Sequence, residues 1–340
     1  MRLLQAMAGA RHGGAEAFFV RLVLALHHAG QEQCVLIRAD AARAAVLRRG
    51  GVEPLQLPFG GWLDIATRLG FRRAVARYRP RVVLTWMNRA TRLCPRGDFV
   101  HVARLGGYYD LKYYRGCDYL IANTRDIAAY LVAQGWPQDR VRYLPNFVAA
   151  APAAPVTRAS LATPEEAPLA LALGRLHVNK GFDTLLDALP VLPEVYLWLA
   201  GDGEWRDALE RQARALGVAT RVRFLGWRED AAALLAAADF LVCPSRHEPL
   251  GNVVIEAWAA GRPVAATASE GPRALIRDEE TGLLVPVDNV DALAAAMERL
   301  ARDPALRTRL AESGRAAYEA EYSETRVVRL YRDFLAEAAR

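Results

Sequence analysis

Lysine is nearly missing: of 44 basic residues only Lys112 and Lys180 are lysines, so chemistry through a lysine Schiff base has two candidates. Cysteine is sparse as well. Cys34, Cys94, Cys117 and Cys243 are scattered and form no CxxC pair, which excludes a disulfide framework or zinc site of the usual spacing and points to a reduced, cytoplasmic setting. No apolar run approaches the ~20 residues that cross a bilayer. The opening MRLLQAMAGARHGG reads as a strand entering a glycine loop, without the apolar core and cleavage site of a secretory leader. Neither GxGxxG nor the GK[ST] of a P-loop occurs, and no DxD-type cluster falls in a fitting loop, so no catalytic metal is expected.

What is present is unevenly charged. Residues 1–150 hold 22 Lys and Arg against 10 Asp and Glu, while the remaining 190 residues hold 22 against 28. A basic half followed by an acidic half suggests two domains with different partners, although an arginine-rich composition can also reflect the gene's base composition. Short apolar runs alternate with amphipathic ones throughout. Strands are expected near Arg2–Ala6, Gln33–Ile37, Val82–Thr85, Phe99–Ala103 and Tyr119–Ala122, then at Leu169–Leu173, Tyr196–Ala200, Arg221–Leu225, Phe240–Cys243 and Val264–Thr267. Such alternation predicts parallel sheets covered by helices on both faces. Between the halves, the Ala/Pro-rich stretch 151–168 has the proline density of a linker. The expected division is 1–150, 151–168, 169–318, and a terminal helix in 319–340 that packs back on the first domain.

Three stretches carry chemistry. In SRHEPLGNVVIEAWAAGRPV, Glu248 lies in a loop after a strand, Gly251 and Asn252 open a helix, and Glu256 follows in its first turns. Helical side chains lean toward the N-terminus, so both carboxylates and the N–H groups of Leu250 and Gly251 can face one pocket. Two carboxylates beside backbone donors suit a ligand with many hydroxyls; the plain alternative is acidic residues complementing a helix dipole. In LGRLHVNKGFDTLLDAL, Arg175, Lys180 and a helix start converge on one loop, a combination that binds diphosphate. The loop Ala8–Glu16, with Gly13 and Gly14, brings small residues to the first strand-to-helix turn and is a weak phosphate signal alone.

Together these stretches resemble the retaining nucleotide-sugar glycosyltransferases of family 4. The resemblance implies an α/β chain of GT-B fold, with two facing, doubly wound Rossmann-like domains and an interdomain cleft. The E-x7-E element of that family matches EPLGNVVIE, its G-R-x4-K-G element matches GRLHVNKG, and LAGDG, RVRFLG, TGLLVP and GGAE also look like family sequence. The resemblance implies that Arg175 and Lys180 bind the donor diphosphate, that Glu256 takes the ribose hydroxyls, and that Glu248 faces the transferred sugar. Leu250 and Gly251 would contact sugar or phosphate through backbone N–H groups, and Leu225 and Gly226 would lie near the nucleobase. Gly13 and Gly14 would close over the donor from the other domain. Retention of anomeric configuration follows from the resemblance only. One departure stands out: Arg104 occupies the strand end where many relatives have a sugar-contacting histidine, and His101 lies three residues earlier.

The acceptor is expected to be a glycan or a lipid-linked, lipopolysaccharide-type glycan, because the acceptor side is the basic one. Residues 60–81 mix Trp62, Leu63, Ile65 and Leu69 with six arginines, a pattern suited either to an anionic membrane surface at the inner face of the cytoplasmic membrane or to an ordinary sheet-packed helix. Nucleic acid is not expected, since no recognised binding motif accompanies the basic half. A sugar-nucleotide epimerase, a pyridoxal-dependent phosphorylase-like enzyme and a non-enzymatic nucleotide-binding module are the competing readings. No cofactor is expected beyond the nucleotide sugar as substrate.

Overall fold

The computed structural model of the chain describes residues 1–10, 13–61, 63–148 and 153–340. They divide into two units, one of Met1–Phe147 with Glu324–Arg340 and one of Val148–Ser323.

In the first unit the apolar runs become strands buried on both faces, as a parallel sheet covered by helices requires. The elements in order are β1 (Leu3–Met7), α1 (Gly14–His28), β2 (Gln33–Arg38), α2 (Ala41–Arg49), β3 (Leu55–Leu57), α3 (Ile65–Tyr78), β4 (Val82–Trp86), α4 (Met87–Leu93), β5 (Val100–Leu105), β6 (Tyr119–Ala122), α5 (Arg125–Ala133) and β7 (Val141–Tyr143). Every residue of β1 and β4 is buried. The strands run in the order β3-β2-β1-β4-β5-β6-β7, all parallel, with Leu3 opposite Gln33 on one side and Val82 on the other. Local signals start the helices: Asp40, Asp64 and Thr124 accept the N–H groups of Arg43, Thr67 and Ile127 as N-caps of α2, α3 and α5.

The second unit repeats the plan with β8 (Leu169–Leu173), α6 (Phe182–Ala188), β9 (Tyr196–Ala200), α7 (Arg206–Ala215), β10 (Val222–Gly226), α8 (Ala231–Ala237), β11 (Phe240–Cys243), α9 (Asn252–Ala259), β12 (Val264–Thr267), α10 (Glu270–Leu275), β13 (Leu283–Val285), α11 (Val290–Arg302) and α12 (Pro304–Ala317). Its strands are ordered β10-β9-β8-β11-β12-β13, again all parallel. Both units are therefore Rossmann-like doubly wound sheets.

The described part of the Ala/Pro-rich stretch packs on the second unit rather than spanning open space. Arg158 donates to Ala237 O at 2.7 Å and to Glu165 O and Ala167 O at 2.9 and 3.0 Å, and Trp198 Nε1 donates to Thr163 Oγ1 at 2.8 Å. Proline density marks irregular backbone, but not whether that backbone has partners. The chain ends in α13 (Glu324–Ala338), whose Val327, Tyr331, Phe334 and Leu335 join the α1 side of the first unit's core. β3, β7 and β13 have three residues each and lie at or next to sheet edges, too short to register as periodic runs in sequence.

Candidate functional site

In an open parallel sheet, neighbouring crossovers diverge where strand order reverses, and ligands bind outside the carboxyl ends of the strands there. In the second unit that point lies between β8 and β11. The loop leaving β8 carries Gly174, Arg175 and Lys180; the loop leaving β11 carries Glu248.

These loops meet. Lys180 Nζ donates to Glu248 Oε2, and the other carboxylate oxygen accepts Gly251 N–H at 3.2 Å. The close approach needs glycine at position 181, where φ is +61° and a Cβ would overlap the Pro244 carbonyl oxygen. Gly251, at φ +79°, turns the chain into α9, and half-buried Glu256 lies about one turn further along that helix. Leu250 is buried. Arg175 is exposed and makes no ion pair among the described residues. Leu225 and Gly226 end β10, where Gly201 N–H donates to Gly226 O at 2.8 Å.

Two braces absent from the sequence reading hold this arrangement. Arg246 donates to both oxygens of Asp183 at 2.7 Å and to Val178 O at 2.9 Å, and pairs with Asp288 at 2.6 Å. It thereby ties the β11 loop to the start of α6. Its hydrogen bond with Asp183 holds the guanidinium above its ordinary pKa. Glu270, at the start of α10, accepts Glu248 N–H at 3.3 Å and pairs with His247 Nδ1 at 2.9 Å. Burial pushes the Glu270 carboxyl up, yet its backbone hydrogen bonds and His247 outweigh this and leave it lowered. Arg246 stands two residues before Glu248 in SRHEPLG, which is the one sequence signal that could have found it. Glu270 has no such signal, because only the fold brings β12's loop to β11's.

In the first unit, Gly13 and Gly14 lie exposed at the start of α1. Arg11 and His12 of that glycine loop, and Trp62 of the basic stretch, fall outside the described residues. Glu16 is buried and accepts Ala10 N–H at 2.7 Å, so its carboxylate organises the loop.

His101 and Arg104 are interior residues. His101 shares a 2.9 Å hydrogen bond between Nε2 and Thr85 Oγ1, and its N–H donates to Asp118 at 2.8 Å. Burial lowers its pKa to about 4. Arg104, only 2% exposed, donates Nε to Tyr331 OH at 2.9 Å and Nη2 to Asn146 Oδ1. Its guanidinium lies 4.6 Å from the Trp86 ring centroid and 4.7 Å from that of Phe18. Strand alternation puts the two on opposite faces: Arg104 and Val102 face α1 and α13, and His101 faces Cys117. Both side chains spend their polar groups inside the first unit. Cys34 and Cys243 are equally unsuited to nucleophilic work, since burial pushes each thiol up to about 11.

Comparison with known proteins agrees with this geometry. The family model of glycosyltransferase family 4 matches residues 12–151, and that of glycosyl transferases group 1 matches residues 154–317. The lipopolysaccharide core biosynthesis glycosyltransferases LpsE and LpsD of Rhizobium meliloti are 41% and 38% identical, over 96% and 94% of this chain and equal shares of their own. The crystal structure of Anabaena HepE in complex with UDP superposes with a TM-score of 0.87 at 20% identity, covering 99% of this chain and 100% of the other, a likeness of fold. With both halves matched and near-complete relatives at this identity, the chain belongs to the family 4 glycosyltransferases of GT-B fold.

Proposed function

We propose that this glycosyltransferase takes its sugar from a nucleoside-diphosphate donor held by the second unit, and passes it with retention to a glycan of the lipopolysaccharide core. The observation that carries the donor reading is the convergence of Lys180, Glu248 and Gly251 N–H at the β8/β11 switch point. The naming of LpsE and LpsD for lipopolysaccharide core biosynthesis supports the acceptor class.

In this reading the donor diphosphate draws Lys180 away from Glu248 and pairs it with exposed Arg175. The anomeric C–O bond breaks with its electron pair on the diphosphate, and preorganised cations stabilise that charge. The acceptor hydroxyl forms the new C–O bond and passes its proton to the departing diphosphate oxygen. Glu248, released from Lys180, faces the developing positive charge on the sugar. Glu256 accepts from the ribose hydroxyls, backbone groups of Leu250 and Gly251 line the sugar and phosphate, and Leu225 with Gly226 border the nucleobase. Because two side-chain cations supply the charge, turnover is metal-independent.

The experiment is nucleotide release from a panel of nucleoside-diphosphate sugars with a core oligosaccharide acceptor, with and without EDTA, followed by proton NMR of the product. Retained anomeric configuration and EDTA resistance support the proposal. Donor interconversion without acceptor would instead favour an epimerase.

Membrane association is proposed for the 60–81 surface. Leu63, Ile65 and Leu69 are 70%, 67% and 44% exposed beside Arg68, Arg72 and Arg73 of α3. Among the described residues no helix is long and apolar enough to cross a membrane. Flotation with anionic but not neutral liposomes is the expected result.

A further inference from the structure

The first unit has its own switch point, between β1 and β4. A cavity of about 570 Å³ opens there, at the carboxyl ends of those strands, within the ~300–1,000 Å³ range of small-molecule sites. Arg38, Arg68, Arg89 and Arg92 all line it, and Glu16 is the one carboxylate among its described lining residues. None of the four guanidiniums forms an ion pair among the described residues. Arg89 donates to Phe59 O at 3.2 Å, and Arg92 lies 5.2 Å from the Tyr113 ring centroid. Neither contact neutralises charge. Glu16 is already engaged with Ala10 N–H.

The backbone around the cavity is also held in costly conformations. Met87 in its wall, and Phe59 beside the lining glycine Gly60, have φ of +62° and +44°. Non-glycine residues reach such values only when the surroundings impose them, and they cluster at ligand sites. Four guanidiniums beside the Glu16 carboxylate, with Asp64 acting on Arg68 alone, leave an excess of positive charge, and an anion between them removes the resulting repulsion. Asn88, Tyr109 and Tyr113 on the same wall supply the amide and hydroxyls that sugar hydroxyls need.

We infer that this cavity binds the acceptor through an anionic substituent, a phosphate or a carboxylate carried on the sugar, read by Arg38, Arg68, Arg89 and Arg92. The inference rests on the glycosyltransferase reading above, with the donor in the second unit.

The test is ligand-detected NMR titration of the full chain at low salt with glucose 6-phosphate, glucuronic acid, glucose and UDP. One or both anionic sugars are expected to bind at least about tenfold more tightly than glucose. Their binding falls on the order of tenfold in Arg68→Gln and in Arg89→Gln, with UDP affinity and the thermal midpoint unchanged. Preference for the phosphate or the carboxylate ligand identifies which group the acceptor carries. Equal binding of glucose and both anionic sugars, or no effect of either substitution, overturns the inference. Loss of UDP affinity in the arginine variants also overturns it, because the cavity would then hold the donor diphosphate. Failure of the donor reading shows separately, as absence of UDP binding to the wild-type protein.

Discussion

Lys180 and Glu248, 68 residues apart in sequence, form an ion pair at the carboxyl ends of β8 and β11. The pair keeps a half-buried ammonium and a half-buried carboxylate satisfied until a ligand separates them. Two opposed groups that exchange partners on binding need little further reorganisation at the moment of reaction.

The pairing makes Glu248→Ala informative. Removing the carboxylate frees Lys180 for an incoming diphosphate while taking charge stabilisation from the sugar. UDP binding is expected to hold or tighten severalfold, and turnover to fall by about 10²-fold or more. Calorimetric titration beside a turnover assay checks this; parallel loss of both would show that Glu248 serves binding alone.

Arg246 positions the site without joining it. Arg246→Ala leaves Asp183 and Asp288 without their guanidinium. Stability is expected to fall by about 1–3 kcal/mol in urea unfolding, with kcat/KM reduced about tenfold. Arg246→Lys keeps the charge but loses the bidentate fork, so it should recover stability better than activity. Full activity in both variants would show that Arg246 does not position the site.

The alternation of runs showed two parallel-sheet units, and the spacing in EPLGNVVIE and GRLHVNKG marked the residues that the fold brings together. Strand order was not legible, because nothing local records that β1 lies beside β4 or β8 beside β11. The arginine-lined cavity was hidden for the same reason: its four arginines come from three separate elements, at the end of β2, on α3 and on α4. His101 and Arg104 looked like site candidates because a strand's sequence reveals alternation but not which layer covers each face. In the fold, α1 and α13 close over Arg104, and α13 arrives from more than two hundred residues away.

His101 should leave a pH signature. Its folded-state pKa of about 4 lies below the ordinary 6.5, so as pH falls the unfolded chain takes up the proton first. Stability is thus complete above about pH 6.5 and is lost toward pH 4, by up to about 3 kcal/mol. Urea unfolding across this range should show a steeper acid loss in wild type than in His101→Gln. Identical slopes would mean that His101 takes up its proton at the same pH in the native protein as in the unfolded chain.

Arg104 anchors α13. Arg104→Ala leaves Tyr331 OH without its buried donor and opens a void between Trp86 and Phe18. The expected cost is about 2–4 kcal/mol in thermal or urea unfolding, with KM for both substrates unchanged in the folded fraction. An unchanged melting midpoint with a raised KM would instead make Arg104 a substrate contact.

In the proposed reaction Lys180 and Arg175 hold the donor's diphosphate. Titration calorimetry of the full chain with UDP, GDP and ADP, repeated on Lys180→Ala and Arg175→Ala, measures it directly. At least one nucleoside diphosphate is expected to bind the wild type, and each substitution to weaken it by about tenfold to a hundredfold without changing the circular dichroism spectrum. Unaltered affinity in both variants, or no binding of any of the three to the wild type, would contradict it.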